Sequence, residues 1–127
     1  MQKIDRTRQK RRYLALSFAV PFGVMLLCFV LGGLWPFGDR QVLAHDMWHQ
    51  YYPFFVSFRE KLRSGGSLQY LREAGMGIGY PPLYAYYLSS PLYLLSVLVP
   101  ASLLREFFAL LVLTKIGLAG LFFAVFL

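Results

Sequence analysis

The sequence is poor in charged residues, and acidic residues are the scarcest of these. Only 15% of the 127 residues are charged, with 6 Asp and Glu against 13 Lys and Arg. Soluble domains carry about 25% charged residues, so an ordinary soluble domain is excluded. Hydrophobic residues make up 57% of the chain and are grouped in long runs. This composition predicts an integral membrane protein.

Cysteine and histidine are also scarce. Cys28 is the only cysteine, which excludes a disulfide within the chain and leaves an apolar packing role. His45 and His49 are four residues apart and would share a helix face, as zinc ligands do, but no further ligands follow at a suitable spacing. Asp39 and Asp46 leave a divalent-cation site as a weaker alternative. We therefore expect no cofactor.

The N-terminal residues 1–12 are strongly basic. They contain one acid, Asp5, and six cations: Lys3, Arg6, Arg8, Lys10, Arg11 and Arg12. A basic segment directly before a membrane span is typical of a cytoplasmic anchor that is attracted to anionic headgroups. Binding to nucleic acid is disfavoured, because the chain has no soluble module that would present such an arm.

Residues 13–35 are predicted to form the first transmembrane helix. They carry no charge, and a 23-residue helix is about 34 Å long, enough to cross a hydrocarbon core of about 30 Å. A cleaved signal peptide is the alternative, with a cleavage site near Ala44, but the apolar run is too long for it. The basic flank predicts a cytoplasmic N-terminus and places the following segment outside.

Residues 36–82 are predicted to form an extracytoplasmic loop with short surface helices. Apolar residues recur with a helical period from Gln50 to Leu62, and Arg59 is expected with the other cations on the opposite side or at the end. A second short segment follows at 68–74. The glycine-rich residues 75–79 indicate either a close-packed backbone path or a loop that lines a substrate site.

Two apolar segments complete the chain. Residues 83–99 are short for a span and rich in tyrosine, so we expect an interfacial or re-entrant helix. Residues 107–127 are the second predicted transmembrane helix, with Gly117 and Gly120 as a small-residue face for close helix contact. The chain ends within this apolar run, which leads us to expect the N-terminal piece of a longer polytopic protein.

The residues suited to chemistry are concentrated in the block Gly38–Phe54. Acids, imidazoles, an amide and aromatic rings occur together only here. Asp46 follows the first predicted span, where a carboxylate can face water and remain close to substrates carried by lipids. The structural alternative is a solvated helix cap.

The same block begins a set of fragments that resembles a known family. These are Asp39–Pro53, Phe58–Gly65, Gly75–Gly77, Tyr87–Leu92 and Lys115–Gly120. In this order they resemble the start of the bacterial YfhO-type membrane proteins, over residues 13–127. That family is similar to the polytopic glycosyltransferases with the C-type (GT-C) fold. The resemblance therefore implies an all-α, polytopic membrane protein whose first part has two spans flanking an outer loop.

The resemblance also implies a function. Proteins of this kind transfer a sugar from a polyprenyl-phosphate carrier to an acceptor at the outer face of a bacterial cytoplasmic membrane, and members are linked to envelope polymers such as teichoic acids. Such enzymes often need no metal. An acidic residue in the first outer loop lies at or near the catalytic centre, and Asp46 is in the matching place, with Asp39 as a competing candidate.

The residue types suit this chemistry. A base must take the proton of the acceptor hydroxyl, and cations must neutralise the departing phosphate. We expect Asp46 to be the base. The expected substrate- and phosphate-binding residues are Arg40, His45, His49, Gln50, Tyr51 and Lys115. Trp48, Tyr51 and Tyr52 either stack on sugar rings or anchor the chain at the interface.

A lysine in the middle of an apolar helix supports a site of this kind. Lys115 costs at least about 2.5 kcal/mol to insert, so it is expected to face protein, water or a phosphate. The partners expected are a lipid-linked sugar donor, an envelope acceptor and membrane lipids. The alternative function is a non-catalytic membrane component, either an assembly factor or a subunit of a transporter or flippase. As an enzyme, residues 1–127 alone are expected to be inactive.

Overall fold

The computed structural model describes the backbone of residues 2–127 and the side chains of residues 8–127. The basic side chains at Lys3 and Arg6, and the acid Asp5, lie outside the described side chains. The chain is mostly helical and divides into two compact units, one formed by 1–41 with 109–127 and the other by 42–108.

Helix α1 (Gln2–Gly32) contains most of the span predicted at 13–35. It begins before residue 13 and ends before residue 35. It ends at Gly32 because Gly33 adopts a left-handed backbone (φ +61°), and the amide of Leu34 returns to the carbonyl oxygen of Phe29 at 2.9 Å. The helix continues through Pro21, as expected for a proline in a membrane segment.

The first unit combines α1 with the distal part of α4 (Leu104–Phe126). A Cβ atom added to Gly120 would lie 2.3 Å from the Ser17 carbonyl oxygen, and one added to Gly117 would lie 2.6 Å from the Phe18 ring. The prediction of a small-residue contact face is therefore confirmed. The stretches Arg8–Gly32 and Ala101–Phe126 are each long and apolar enough to cross a membrane.

The second unit begins with a wide helical turn (Met47–Tyr51) that leads into helix α2 (Tyr52–Ser64). Gly65, at φ +68°, ends α2. Phe55 and Phe58 on the apolar face of α2 are at most 2% exposed. The expectation that this face rests on the membrane surface is wrong, because Phe55 packs instead against the rings of Tyr93 and Phe108.

Arg59 is the second departure from prediction in α2. It is 2% exposed, not on the solvated side of the helix. Its guanidinium donates hydrogen bonds to the carbonyl oxygens of Ser96 (3.0 Å) and Val99 (2.6 Å), and it pairs with Glu60. These carbonyls lie at the end of a helical segment, where a charged side chain can add a donor, and sequence periodicity cannot show such a contact.

An antiparallel hairpin follows α2 where a second surface segment was expected. Strands β1 (Tyr70–Leu71) and β2 (Ile78–Gly79) pair with Tyr70 opposite Gly79. Gly77 has φ +100°, and a Cβ atom there would lie 1.8 Å from the Tyr70 hydroxyl. The expected close-packed glycine path is therefore confirmed, whereas the all-α prediction is wrong for the residues that form these strands.

The predicted helix at 83–99 is divided in two. Helix α3 (Tyr80–Leu83) continues as a wide turn (Tyr84–Leu88), and a separate 3-10 helix covers Pro91–Leu98. The break falls at Ser90, whose extended backbone (ψ 124°) is the conformation that a residue before proline prefers. A further 3-10 turn (Ala101–Leu103) leads into α4.

Candidate functional site

The predicted site residues are divided between the two units. Asp39 and Arg40 are exposed in the loop after α1, and Lys115 is half-buried in α4; all three belong to the first unit. In that loop, the backbone amide of Trp35 donates to the Arg40 carbonyl oxygen at 2.8 Å. The remaining predicted residues, from His45 to Tyr51, belong to the second unit.

His45 sets the geometry of the second-unit residues. Its φ of +47° is uncommon for a residue other than glycine. Its carbonyl oxygen accepts hydrogen bonds from the amides of Trp48 and His49, each at 3.0 Å, so the chain turns here directly into the helix. The exposed imidazole of His45 therefore belongs to a residue whose backbone also starts the next element.

Asp46 stands at the N-terminal cap position of the turn Met47–Tyr51, with its side chain exposed. In that position an aspartate ordinarily accepts a hydrogen bond from the backbone. Its carboxylate makes no such bond here. The structural alternative of a helix cap is thus not realised, and the carboxylate oxygens are accessible to an incoming hydroxyl.

Gln50 and Tyr51 lie one turn further on and meet a partner from a distant part of the chain. The Tyr87 hydroxyl donates to Gln50 Oε1 at 2.7 Å. The rings of Tyr51 and Tyr87 meet edge to face, with centroids 4.9 Å apart. Tyr87 therefore joins the turn after Asp46 to the turn after α3.

The surroundings of Tyr87 raise the pKa of its phenol. Loss of hydration raises its pKa above the ordinary 10.0, and the neighbouring Tyr86, Tyr51 and Asp46 raise it further. A nearby anion disfavours formation of a phenolate. At neutral pH, Tyr87 is consequently a neutral hydrogen-bond donor, which bonds to Gln50.

A cavity of about 680 Å³ opens beside this cluster. Its walls come from α2, the turn that precedes it, β2 and the segment after β2. They consist of Gln50, Phe54, Ile78, Gly79, Pro82, Leu83, Tyr86 and Tyr87. We call it the tyrosine cavity. Its volume is in the range of small-molecule sites, and aromatic walls with a few polar groups are typical of them.

His49 is directed elsewhere. It lines a second cavity of about 750 Å³ together with Trp48, Tyr52 and Glu60. Trp48 and Tyr52 stack on each other with centroids 6.2 Å apart, and the Arg105 guanidinium lies 5.3 Å from the Trp48 ring centre. The structure thus separates His49 from Gln50 by placing them at different cavities.

No metal centre is evident in the part of the chain with described side chains. Among these residues, no three His, Cys, Asp or Glu side chains come together in a group that could hold an ion.

Sequence reasoning missed Tyr86 and Tyr87 as site residues. The density of tyrosine in this segment is typical of the membrane interface and equally of a helix packed on protein, so it singles out neither residue. The contact between Gln50 and Tyr87 joins residues 37 positions apart. No local pattern reports a contact of that length, because it depends on how the turn Tyr84–Leu88 packs against α2.

Comparison with known proteins bears on most of the chain. Residues 17–127 match the sequence model of a family described as bacterial membrane protein YfhO. No curated protein and no solved structure matches the chain. The match begins within α1 and covers both cavities and α4. With its two apolar helices, the chain therefore belongs to the YfhO family of bacterial membrane proteins.

Proposed function

We propose that the chain belongs to a membrane glycosyltransferase of the GT-C class, in which Asp46 is the general base. The observation that carries the proposal is the exposed, uncapped carboxylate of Asp46, one turn before the Gln50–Tyr87 pair that lines the tyrosine cavity. A carboxylate in this setting can accept the proton of a hydroxyl held beside it.

The reaction is the transfer of a sugar from a polyprenyl-phosphate carrier to an acceptor of the cell envelope. The acceptor oxygen forms a bond to the anomeric carbon, the bond from that carbon to the phosphate oxygen breaks, and the hydroxyl proton passes to Asp46. The departing phosphate keeps its negative charge and needs cations or donors. We assign this role to Arg40, His45 and Lys115. Gln50 and Tyr51 contact the substrate, and His49 contacts it from the second cavity.

The proposed setting is the outer face of the bacterial cytoplasmic membrane. The exposed cations from Arg8 to Arg12 precede the apolar part of α1, and a basic flank of this kind faces the cytoplasm. Residues 36–82 would then lie outside, where lipid-linked donors and envelope acceptors meet. The chemistry as proposed requires no cofactor.

The test compares the full-length protein with its Asp46→Asn, Asp39→Asn and Glu106→Gln forms at matched membrane levels. The readout is the amount of sugar added to the envelope of cells that otherwise lack the protein. We expect loss of sugar in Asp46→Asn alone. The half-buried Glu106, which lines neither cavity, serves as the carboxylate control from the same unit.

Full activity of Asp46→Asn would contradict the assignment. Loss of activity only in Asp39→Asn would move the base to that residue. If no envelope sugar depends on the wild-type protein, the non-catalytic membrane component becomes the better description.

A further inference from the structure

The walls of the tyrosine cavity combine rings with a small number of polar groups. Phe54 and Tyr87 meet with ring centroids 5.0 Å apart, and Tyr86 and Tyr87 with centroids 4.6 Å apart. Tyr86 is the outermost of the three, with 75% of its surface exposed. The Tyr86 ring is therefore accessible to a ligand that enters the cavity.

Gln50 and Tyr87 contribute polar groups to the tyrosine cavity. The Gln50 carbonyl oxygen accepts from the Tyr87 hydroxyl, which fixes the orientation of the amide and leaves its NH₂ group as a donor. The Tyr87 oxygen still has acceptor capacity. A donor and an acceptor beside apolar rings match a ligand with an apolar face and a hydroxyl-bearing edge, which is the character of a sugar ring.

The charge beside the cavity discriminates between the two substrates. Asp46 precedes Gln50 by four residues, on the same side of a helical turn. A carboxylate there repels a phosphate group and attracts a hydroxyl. An acceptor sugar bound in the cavity would bring its hydroxyl towards the base.

We propose that the tyrosine cavity binds a sugar ring of the acceptor, with Tyr86 as its stacking platform and Gln50 as its hydrogen-bonding residue. This inference rests on the proposed function, because the identity of the ring as acceptor follows from Asp46 acting as the base. It assigns a carbohydrate-type acceptor, not a lipid headgroup without a sugar.

The experiment measures binding and transfer separately on the full-length protein in lipid nanodiscs. Methyl glucoside is the probe, sorbitol is the acyclic control, and saturation-transfer NMR detects binding. We expect a signal from methyl glucoside and none from sorbitol, because only the closed ring has a flat apolar face. Tyr86→Ala should weaken binding about tenfold, whereas Tyr86→Phe should keep it.

Two further variants make the result specific. Phe37→Ala removes another exposed ring, outside the cavity, and should leave the NMR signal unchanged. Asp46→Asn should also retain the signal while envelope sugar transfer is lost. That combination supports both proposals at once.

Other outcomes separate the two proposals. An equal signal from Tyr86→Ala and wild type overturns the cavity assignment and leaves Asp46 untouched. If the isoprenyl alcohol geraniol displaces methyl glucoside, the cavity holds a hydrocarbon tail and the assignment is overturned. Full transfer by Asp46→Asn, with binding still dependent on Tyr86, overturns the proposed base and the acceptor identity while the sugar-binding cavity remains.

Discussion

At the scale of single residues, the electrostatic influence of Asp46 on Tyr87 is the most informative feature. An exposed aspartate and a tyrosine 41 positions later are unremarkable in sequence. In the folded chain, the negative charge of the aspartate is one of the causes that raise the pKa of the tyrosine. The phenol thus reports on the charge of the residue that we assign as the base.

This coupling gives a prediction for Tyr87. Asp46→Asn removes a negative charge that opposes phenolate formation, so the pKa of Tyr87 should fall towards the ordinary 10.0 while loss of hydration keeps it raised. NMR of protein with labelled tyrosine rings, with the Tyr87 signal assigned from Tyr87→Phe, measures the shift. Glu73→Gln should leave the signal unmoved. An identical titration in Asp46→Asn and wild type would mean that the two groups do not interact.

Arg59 is the second residue of consequence. Arg59→Met removes a charged donor from one buried and one half-buried carbonyl oxygen, and we expect the free energy of unfolding to fall by about 3 kcal/mol. Denaturant unfolding in detergent, followed by circular dichroism, measures it. Arg63→Met, at an exposed position of the same helix, should change stability little. Equal stability of the two variants would show that the buried hydrogen bonds contribute nothing net.

At the scale of elements, the close contact between α1 and α4 depends on two glycines. Gly120→Val would place side-chain atoms where the Ser17 carbonyl oxygen and the Pro21 ring now lie, so the helices must move apart. We expect a loss of about 2 kcal/mol of stability. Thermal unfolding in detergent, read as the folded fraction on size exclusion, tests this.

Gly23→Val is the control for this contact. A Cβ atom at Gly23 meets nothing within 4 Å, so this substitution adds the same side chain to α1 without a clash. If Gly120→Val and Gly23→Val melt together, the contact is less close than the structure indicates.

Sequence patterns predicted the elements unevenly, and the reasons are physical. The two apolar helices were predictable because composition and length alone determine whether a segment can cross a membrane. The small-residue face was predictable because Gly117 and Gly120, three residues apart, lie on the same side of a helix. The hairpin at 70–79 was missed, because two strands of two residues each leave no alternation to detect.

The candidate site was predictable only where it is local in sequence. Asp46, Gln50 and Tyr51 lie within one short block, and the structure brings all three beside Tyr87. The prediction for Arg59 was wrong because it was based on the apolar period of α2 and on the ordinary exposure of cations to solvent. Its burial depends on the carbonyl oxygens of Ser96 and Val99, which no pattern in α2 reveals.

At the scale of the whole molecule, membership of a membrane protein family and two apolar helices lead to a prediction of topology. In a Cys28→Ser background, we expect Ser67→Cys to react with a membrane-impermeant maleimide added to intact cells. Gln9→Cys should react only after the cells are permeabilised, because the basic flank holds it in the cytoplasm. Both positions are exposed, so access within the protein is matched. The reverse labelling pattern would invert the proposed orientation and place Asp46 inside.

The hydrogen bonds of Arg59 have a consequence for how this protein can change over evolutionary time. Arg59 holds the end of the 3-10 helix by its main-chain oxygens, which every amino acid possesses. The half-buried side chain of Val99 is therefore free to drift among homologues without loss of this anchor, whereas the arginine has no equivalent among the other residue types. Natural selection on this contact therefore acts on the residue type at position 59 only. Pairwise covariation between these positions should accordingly be weak, even though they touch.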